Sequence, residues 1–374
     1  MRYDVAVIGL GVIGSACAAE LAGRGWRVLG VDRFPRGHSL GSSRGGSRLL
    51  REFHPGRPDL GGLARTSRTA WQRLAARSGR ELFAATGGLV VGSTADEYWT
   101  AQLAEAARSD IPHELRQDLA LRELAAHIRY PADAVGLYEP GAGVLFAERC
   151  VETLQDSATD RGAMLRFGVR AVLADDSLDR DDRVTLLLDD ECVLATRVVY
   201  AVGPWTPALP FADRMPPLSV QRVVVHWIDA PDSAVPSARP FVILVDDEFG
   251  VSPRLPGQGI KYGRFSTGES TAADTVDRTV RPEEVARDGA LLHKHAPTLA
   301  GNKPTRSQVC LYTHTPDGSF LLGCPGPRVL VISACSGYGF KFAPALAQTV
   351  ADTLFDENRT SAFPSVRIES WYRM

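Results

Sequence analysis

Six consecutive residues, Gly9-Leu10-Gly11-Val12-Ile13-Gly14, constrain this chain more than any other feature. They follow a Val- and Ile-rich run at Tyr3–Ile8 that reads as a short buried strand. The Ala-rich stretch Ser15–Arg24 reads as a helix, Trp26–Val31 as a second strand, and Asp32 closes it. The glycines permit a tight turn and a close approach of backbone N–H groups to a pyrophosphate at the helix N-terminus. Asp32 lies 18 residues beyond Gly14, where an acid accepts hydrogen bonds from the adenosine ribose. Strand, turn, helix, strand and acid in this order predict an α/β chain with a Rossmann-like dinucleotide site. NAD and FAD proteins share the motif.

Composition sets the remaining bounds. A length of 374 residues suggests two or three domains. Apolar residues are 44% and charged residues 23%, which excludes a disordered or collagenous chain. A net charge of −2 argues against a nucleic-acid partner. No apolar run reaches the roughly 20 residues that span a bilayer, so no membrane is expected. Six cysteines (17, 150, 192, 310, 324, 335) lack CxxC spacing, which argues against a zinc site or a disulfide scaffold. The apolar stretch Val5–Ile13 is broken by glycines and does not read as a signal peptide, so a reduced, cytoplasmic setting is expected. Only four of the 42 cations are lysines: Lys261, Lys294, Lys303 and Lys341. A lysine inside a chemical motif therefore carries weight.

Four such motifs follow. Residues 39–51 form a Ser/Gly/Arg loop in which small residues let backbone approach a ligand and Arg48 and Arg51 supply charge. Their spacing of three puts both near one face if the segment is helical and on opposite faces if it is extended. Gly259-Ile260-Lys261-Tyr262-Gly263 reads as a strand with one lysine. Val309–Asp317 is an apolar strand holding Cys310 and Tyr312. Cys335–Ala345 places Gly337, Gly339, Phe340 and Lys341 between the strand Val329–Ser333 and a helix from Ala345 onward. Between these motifs, Ala147–Asp160 and Glu283–His295 read as helices. Met164–Val172, Val184–Leu188 and Arg197–Val202 read as strands. The Pro-rich segment 215–265 reads as an antiparallel sheet.

In order and spacing these segments resemble the monomeric sarcosine oxidase family, within the glycine oxidase and D-amino-acid oxidase group of flavoproteins. The resemblance rests on Gly41–Arg51, Lys261, the Cys310-x-Tyr312-Thr313-x-Thr315-x-Asp317 run and Gly337–Lys341. It implies a glutathione-reductase-type fold. An FAD-binding domain from 1–85, 140–215 and 310–374 would alternate with an α+β substrate domain from 86–139 and 216–309. It also implies that Gly9, Gly11, Gly14, Asp32, Ser42, Ser43, Arg44, Arg48, Gly337, Gly339, Phe340 and Lys341 hold FAD, with Arg48 packed near the flavin ring as a catalytic candidate and Cys310 bonded covalently to the flavin. Arg51 and Lys341 would clamp a substrate carboxylate, Tyr312 would face the substrate, and Lys261 would assist reduction of O₂ to hydrogen peroxide.

The implied activity is oxidation of a secondary amino acid or N-substituted glycine to an imine that water hydrolyses, by a monomeric protein. Phe265 stands where sarcosine oxidases carry His, and their pocket Tyr has no counterpart, which implies a substituent larger than methyl. A cyclic imino acid such as pipecolate or proline is the alternative substrate. A dehydrogenase that passes electrons to a carrier is the alternative reaction.

Overall fold

The computed structural model describes residues 2–174, 177–180, 182–231, 235, 239–265, 268–355 and 368–370. The expected 310–374 segment thus falls partly, at 356–367 and 371–374, outside the described residues.

The first sheet is built around the dinucleotide motif. Arg2–Ile8 pairs in parallel with Val28–Asp32 on one side and with Glu191–Tyr200 on the other. Met164–Phe167 and Val329–Ser333 extend it at the two flanks, also in parallel. The strands are almost wholly buried, as expected of a parallel sheet covered on both faces. Nine of the 12 residues of helix Val12–Gly23 are buried, four of them alanines. These small side chains let the helix lie between helices Ala147–Asp160 and Ala343–Phe355. Ile8, Asp32 and Tyr200 end neighbouring strands at one edge. Ligands of open α/β sheets bind at that carboxyl edge.

The second sheet is mainly antiparallel. Ser219–Ile228 pairs along its length with Arg306–His314 on one side, and with Ile260–Arg264 and Glu269–Thr271 on the other. Phe249–Val251, Phe241–Leu244, Gly88–Ser93 and Ala134–Glu139 continue the sheet. The expected boundary at 309/310 falls inside the Cys310 strand, which pairs entirely within this second sheet. A small third sheet joins Ser47–Leu50 to Gly143–Phe146 and Phe83–Ala84.

Three local readings change. The strand expected at Met164–Val172 is cut at Gly168, whose φ of +72° turns the chain, and resumes as Ala171–Leu173. The run expected at Arg197–Val202 begins earlier and ends at Tyr200 (Glu191–Tyr200), because Gly203-Pro204 starts a 3₁₀ turn. The helix after Gly339 begins at Ala343, behind a 3₁₀ turn at Gly339–Phe342 that carries Lys341.

A buried ion pair fixes the second sheet to its covering helix Pro282–His295. Arg222 donates to both carboxylate oxygens of Glu284 and to the carbonyls of Asp277 (2.7 Å) and Thr279 (2.6 Å). Removing one partner of a buried pair strands the other charge, at a cost of about 3–5 kcal/mol. Glu284→Ala should therefore lower the unfolding free energy in urea by about that amount, whereas a change under about 1 kcal/mol would show the pair to be solvated.

Candidate functional site

One cavity of about 850 Å³ runs from the Gly9–Gly14 turn to Lys341. That is at the upper end of the range for small-molecule sites. At one end the packing requires the motif glycines. A Cβ on Gly14 would lie 1.7 Å from the Gly9 carbonyl oxygen, and one on Gly9, whose φ is +93°, would lie 2.5 Å from that of Ala201. Gly11, Val12 and Ile13 line the cavity at the N-terminus of the first helix, where the helix dipole and free amides favour an anion. Asp32 accepts from the amides of Leu10 (2.8 Å) and Phe34 (2.9 Å), and each oxygen keeps a second lone pair at the cavity wall. These features fit an adenine dinucleotide.

The Ser/Gly/Arg loop is held from several directions. Ser42 donates to the carbonyl of Leu311 (2.6 Å), which ties the loop to the Cys310 strand. Ser43 Oγ accepts from the amide of Val12 at 2.9 Å, in effect capping the first helix. Arg44 lies 3.5 Å from Glu152. The Arg48 guanidinium donates to the carbonyls of Ser42, Arg44 and Ser47, and its Cζ lies 5.7 Å from the Phe340 ring centroid. The segment is extended, as Ser47–Leu50, so Arg48 and Arg51 would be expected on opposite faces. Both nonetheless line the cavity, because the chain leaves the strand at Arg51.

The second sheet supplies the opposite wall. Along Arg306–His314, the alternate residues Cys310, Tyr312 and His314 face the cavity, and Leu311 and Thr313 do not. Cys310 is a free thiol. Gly337, beside the Tyr312 ring, takes φ +77°, a left-handed conformation that favours glycine. A Cβ on Gly339 would come within 1.7 Å of the Ala334 carbonyl oxygen, so this turn also requires glycine. Phe340 stacks on Trp71 at 6.2 Å.

Three of the cations that line the cavity stand out by their burial. Lys261 donates to the carbonyls of Gly45 (2.9 Å) and Ser47 (3.2 Å), and among the described residues its third N–H has no acceptor. Burial, followed by the Arg48 charge, pushes Lys261 down to about 7. Arg51 donates to the Phe53 carbonyl, and burial pushes it down to about 10 against the pull of Glu139. Lys341 is 4% exposed and donates to the Tyr338 carbonyl at 2.8 Å, while the indole of Trp71 donates to its own carbonyl at 2.9 Å. Burial and the Arg51 charge hold Lys341 well below the usual lysine range. Among the described residues, neither Arg51 nor Lys341 has a carboxylate within ion-pair distance. The arrangement can bind an anion between them.

Two acids that the sequence reading left without a role support this layout. Glu148 accepts from the amides of Gly45 (2.9 Å) and Gly46 (3.1 Å). Burial pushes its carboxyl up, but those amides outweigh burial and hold it below the usual range. Glu139 accepts from the amides of Glu52 and Phe53 and so shapes the turn that aims Arg51. Only the Glu139-Pro-Gly turn signal could have marked it. Nothing in the sequence around Glu148 did so.

The family model described as FAD dependent oxidoreductase (DAO) matches residues 4–353. A monomeric sarcosine oxidase of Streptomyces avermitilis is 32% identical over 390 residues, covering 97% of this chain and 99% of that protein. An N-methyl-L-tryptophan oxidase of Yersinia pestis is 28% identical over 371 residues, covering 96% of each. The solved structure of glycine oxidase from Geobacillus kaustophilus, 24% identical, superposes with a TM-score of 0.80 over 97% of this chain and 96% of that one. It shares the fold: a parallel sheet beside an antiparallel one.

Proposed function

The chain belongs to the DAO family of FAD-dependent oxidoreductases, and from that premise we propose that it oxidises the C–N bond of an N-substituted amino acid, with O₂ as the final acceptor. The observation that carries the reading is the pair Arg51 and Lys341, two enclosed cations at one end of the cavity without a counter-ion among the described residues. A substrate carboxylate is the anion of matching size and charge. The relatives named above act on sarcosine and on N-methyl-L-tryptophan, both N-methylated amino acids, and this supports the same substrate class here.

Gly9, Gly11, Gly14 and Asp32 would hold the adenosine and pyrophosphate end of FAD. Ser42, Ser43, Arg44, Arg48, Gly337, Gly339 and Phe340 would enclose the rest. FAD, when bound, supplies the two-electron acceptor for the substrate C–H bond and the donor to O₂.

The chain's own residues position and polarise. Arg51 and Lys341 fix the carboxylate, which orients the C–N bond within the cavity, and such orientation lowers the barrier by entropy already paid on binding. Tyr312 supplies a wall beside the substrate. No side chain need be a strong base if the amine nitrogen arrives neutral. Water hydrolyses the imine product. Lys261 would stabilise negative charge developing on O₂ as it is reduced to hydrogen peroxide. Its ammonium is destabilised by burial, so negative charge placed beside it is what would keep it protonated. The implied catalyst acts as a monomer on a small amino-acid-type substrate.

The reading is tested by anaerobic addition of sarcosine, glycine, longer N-alkyl glycines, pipecolate and proline to the purified holoenzyme, followed by air. Bleaching of the yellow colour by N-alkyl glycines and rapid recovery in air is the expected result. Bleaching by none of them would reject the carboxylate clamp, and bleaching without recovery would indicate a carrier-dependent dehydrogenase. Lys261→Met should bleach at the wild-type rate but recover at least about tenfold more slowly.

A covalent tether from Cys310 is proposed on its place at the cavity wall beside the loop that Ser42 pins. Acid precipitation should give a yellow pellet, and Cys310→Ser should move the colour to the supernatant. A colourless wild-type pellet would reject the tether.

A further inference from the structure

Lys261 is mounted beside an aromatic ring that does not itself line the cavity. Trp227 pairs in register with Lys261 on one neighbouring strand and with Arg306 on the other. Directly paired residues of antiparallel strands point to one face of the sheet, so the three side chains form a row across it. That face is the one bearing Cys310 and Tyr312, since Arg306 shares their alternation. One end of the row, Arg306, is exposed, and the other, Lys261, lines the cavity. Trp227, 1% exposed, fills the middle.

The indole meets a cation from each flanking strand. The Lys261 ammonium lies 5.4 Å from its ring centroid and the Arg306 guanidinium 3.8 Å from it. Both fall within the roughly 6 Å over which a ring face attracts a cation. The indole Nε1 has no hydrogen-bond partner among the described residues, so no hydrogen bond holds the ring, which packs on Val225 and Cys310.

Lys261 has few other supports for its charge. Its two hydrogen bonds go to neutral carbonyls, and among the described residues no carboxylate lies within ion-pair distance of it. Arg48 and Arg306 oppose its charge, and Glu148 and Cys310 favour it. Glu148 already accepts from the amides of Gly45 and Gly46. The strand Ser219–Ile228 adds only Ser219, Gln221, Val223, Val225 and Trp227 on this face, and none of them titrates. A ring face is worth most to a cation removed from water, which describes Lys261 and not Arg306.

We propose that Trp227 is a positioning residue for Lys261: its ring face holds the ammonium charged at the cavity wall, and Arg306 draws on the same face from the solvent side. This role presupposes the part given to Lys261 in O₂ reduction above. A ring that favours the charged form raises the pH at which Lys261 loses its proton, and a second cation on that ring lowers it.

The chain has only four lysines, so the lysine Cε signals of the isotope-labelled, oxidised holoenzyme can be followed singly by NMR as pH is raised. Lys261→Met identifies the Lys261 signal by its loss. Trp227→Leu should lower the Lys261 titration midpoint by about one pH unit, and Trp227→Phe, which keeps a ring face, should restore most of that shift. Arg306→Gln, at an exposed position, should raise the midpoint by about half a unit. The rate at which O₂ reoxidises the dithionite-reduced holoenzyme should move along the pH axis by the same amounts. A midpoint unmoved in either Trp227→Leu or Arg306→Gln would overturn the proposal, and so would an equal fall in Trp227→Phe and Trp227→Leu. Shifted midpoints with unshifted reoxidation would uphold the hold of Trp227 on Lys261 and instead remove the part given to Lys261 in O₂ reduction.

Discussion

Two buried cations, with no carboxylate within ion-pair distance among the described residues, organise this molecule's cavity. Burial lowers the proton affinity of both Arg51 and Lys341, and the Arg51 charge lowers that of Lys341 further. Enclosing a charge costs several kcal/mol even after relaxation. The fold bears that cost at one place and holds both groups rigidly there. Glu139 shapes the backbone on which Arg51 is mounted, and Trp71 fixes the 3₁₀ turn that carries Lys341. Neither support lies within ion-pair distance of the two cations, although the Glu139 charge acts on both. A carboxylate arriving from solvent would therefore recover energy that the empty fold cannot, which is how binding energy is directed to one functional group of a ligand.

The rest of the structure brings distant segments to that point. The parallel sheet delivers the helix N-terminus and Asp32 at its carboxyl edge, and the antiparallel sheet presents alternate side chains across the cavity. The loop at residues 41–47 lies between them. Ser42 ties it to the second sheet, Ser43 to the first helix, and Glu148 to the helix Ala147–Asp160, while Arg48 gathers its carbonyls. The loop is thus rigid although it contains little regular structure, as a site built on a glycine-rich segment requires.

Much of this was legible in the sequence, for physical reasons that can be named. The Gly9–Gly14 turn announces itself because no other residue fits beside the Gly9 and Ala201 carbonyls. Helix Ala147–Asp160 and strand Val184–Leu188 fall at the expected residues because buried and exposed positions alternate with their periods, and Val329–Ser333 does so as a continuous apolar run buried on both faces. Lys261 and Lys341 stand out in a chain that otherwise uses arginine. The supports were not legible. Glu139 and Glu148 act through backbone amides far away in sequence, and a carboxylate on a turn or in a first helical turn looks like ordinary surface. His314 sits in a position that the motif leaves open. Only the strand's alternation, seen against the cavity, shows that it faces inward. The approach of Arg51 to the cavity likewise depends on the chain leaving its strand one residue earlier, which spacing alone does not state.

The central claim is that a carboxylate is the missing partner of Arg51 and Lys341. The most direct measurement is a titration of the oxidised holoenzyme with (methylthio)acetate, an unreactive carboxylate, followed by the shift in flavin absorption, beside its uncharged amide. The account predicts saturable binding of the carboxylate, binding weaker by on the order of 100-fold in Arg51→Met, and no measurable binding of the amide. Equal affinity for acid and amide, or an unchanged Kd in Arg51→Met, would contradict it.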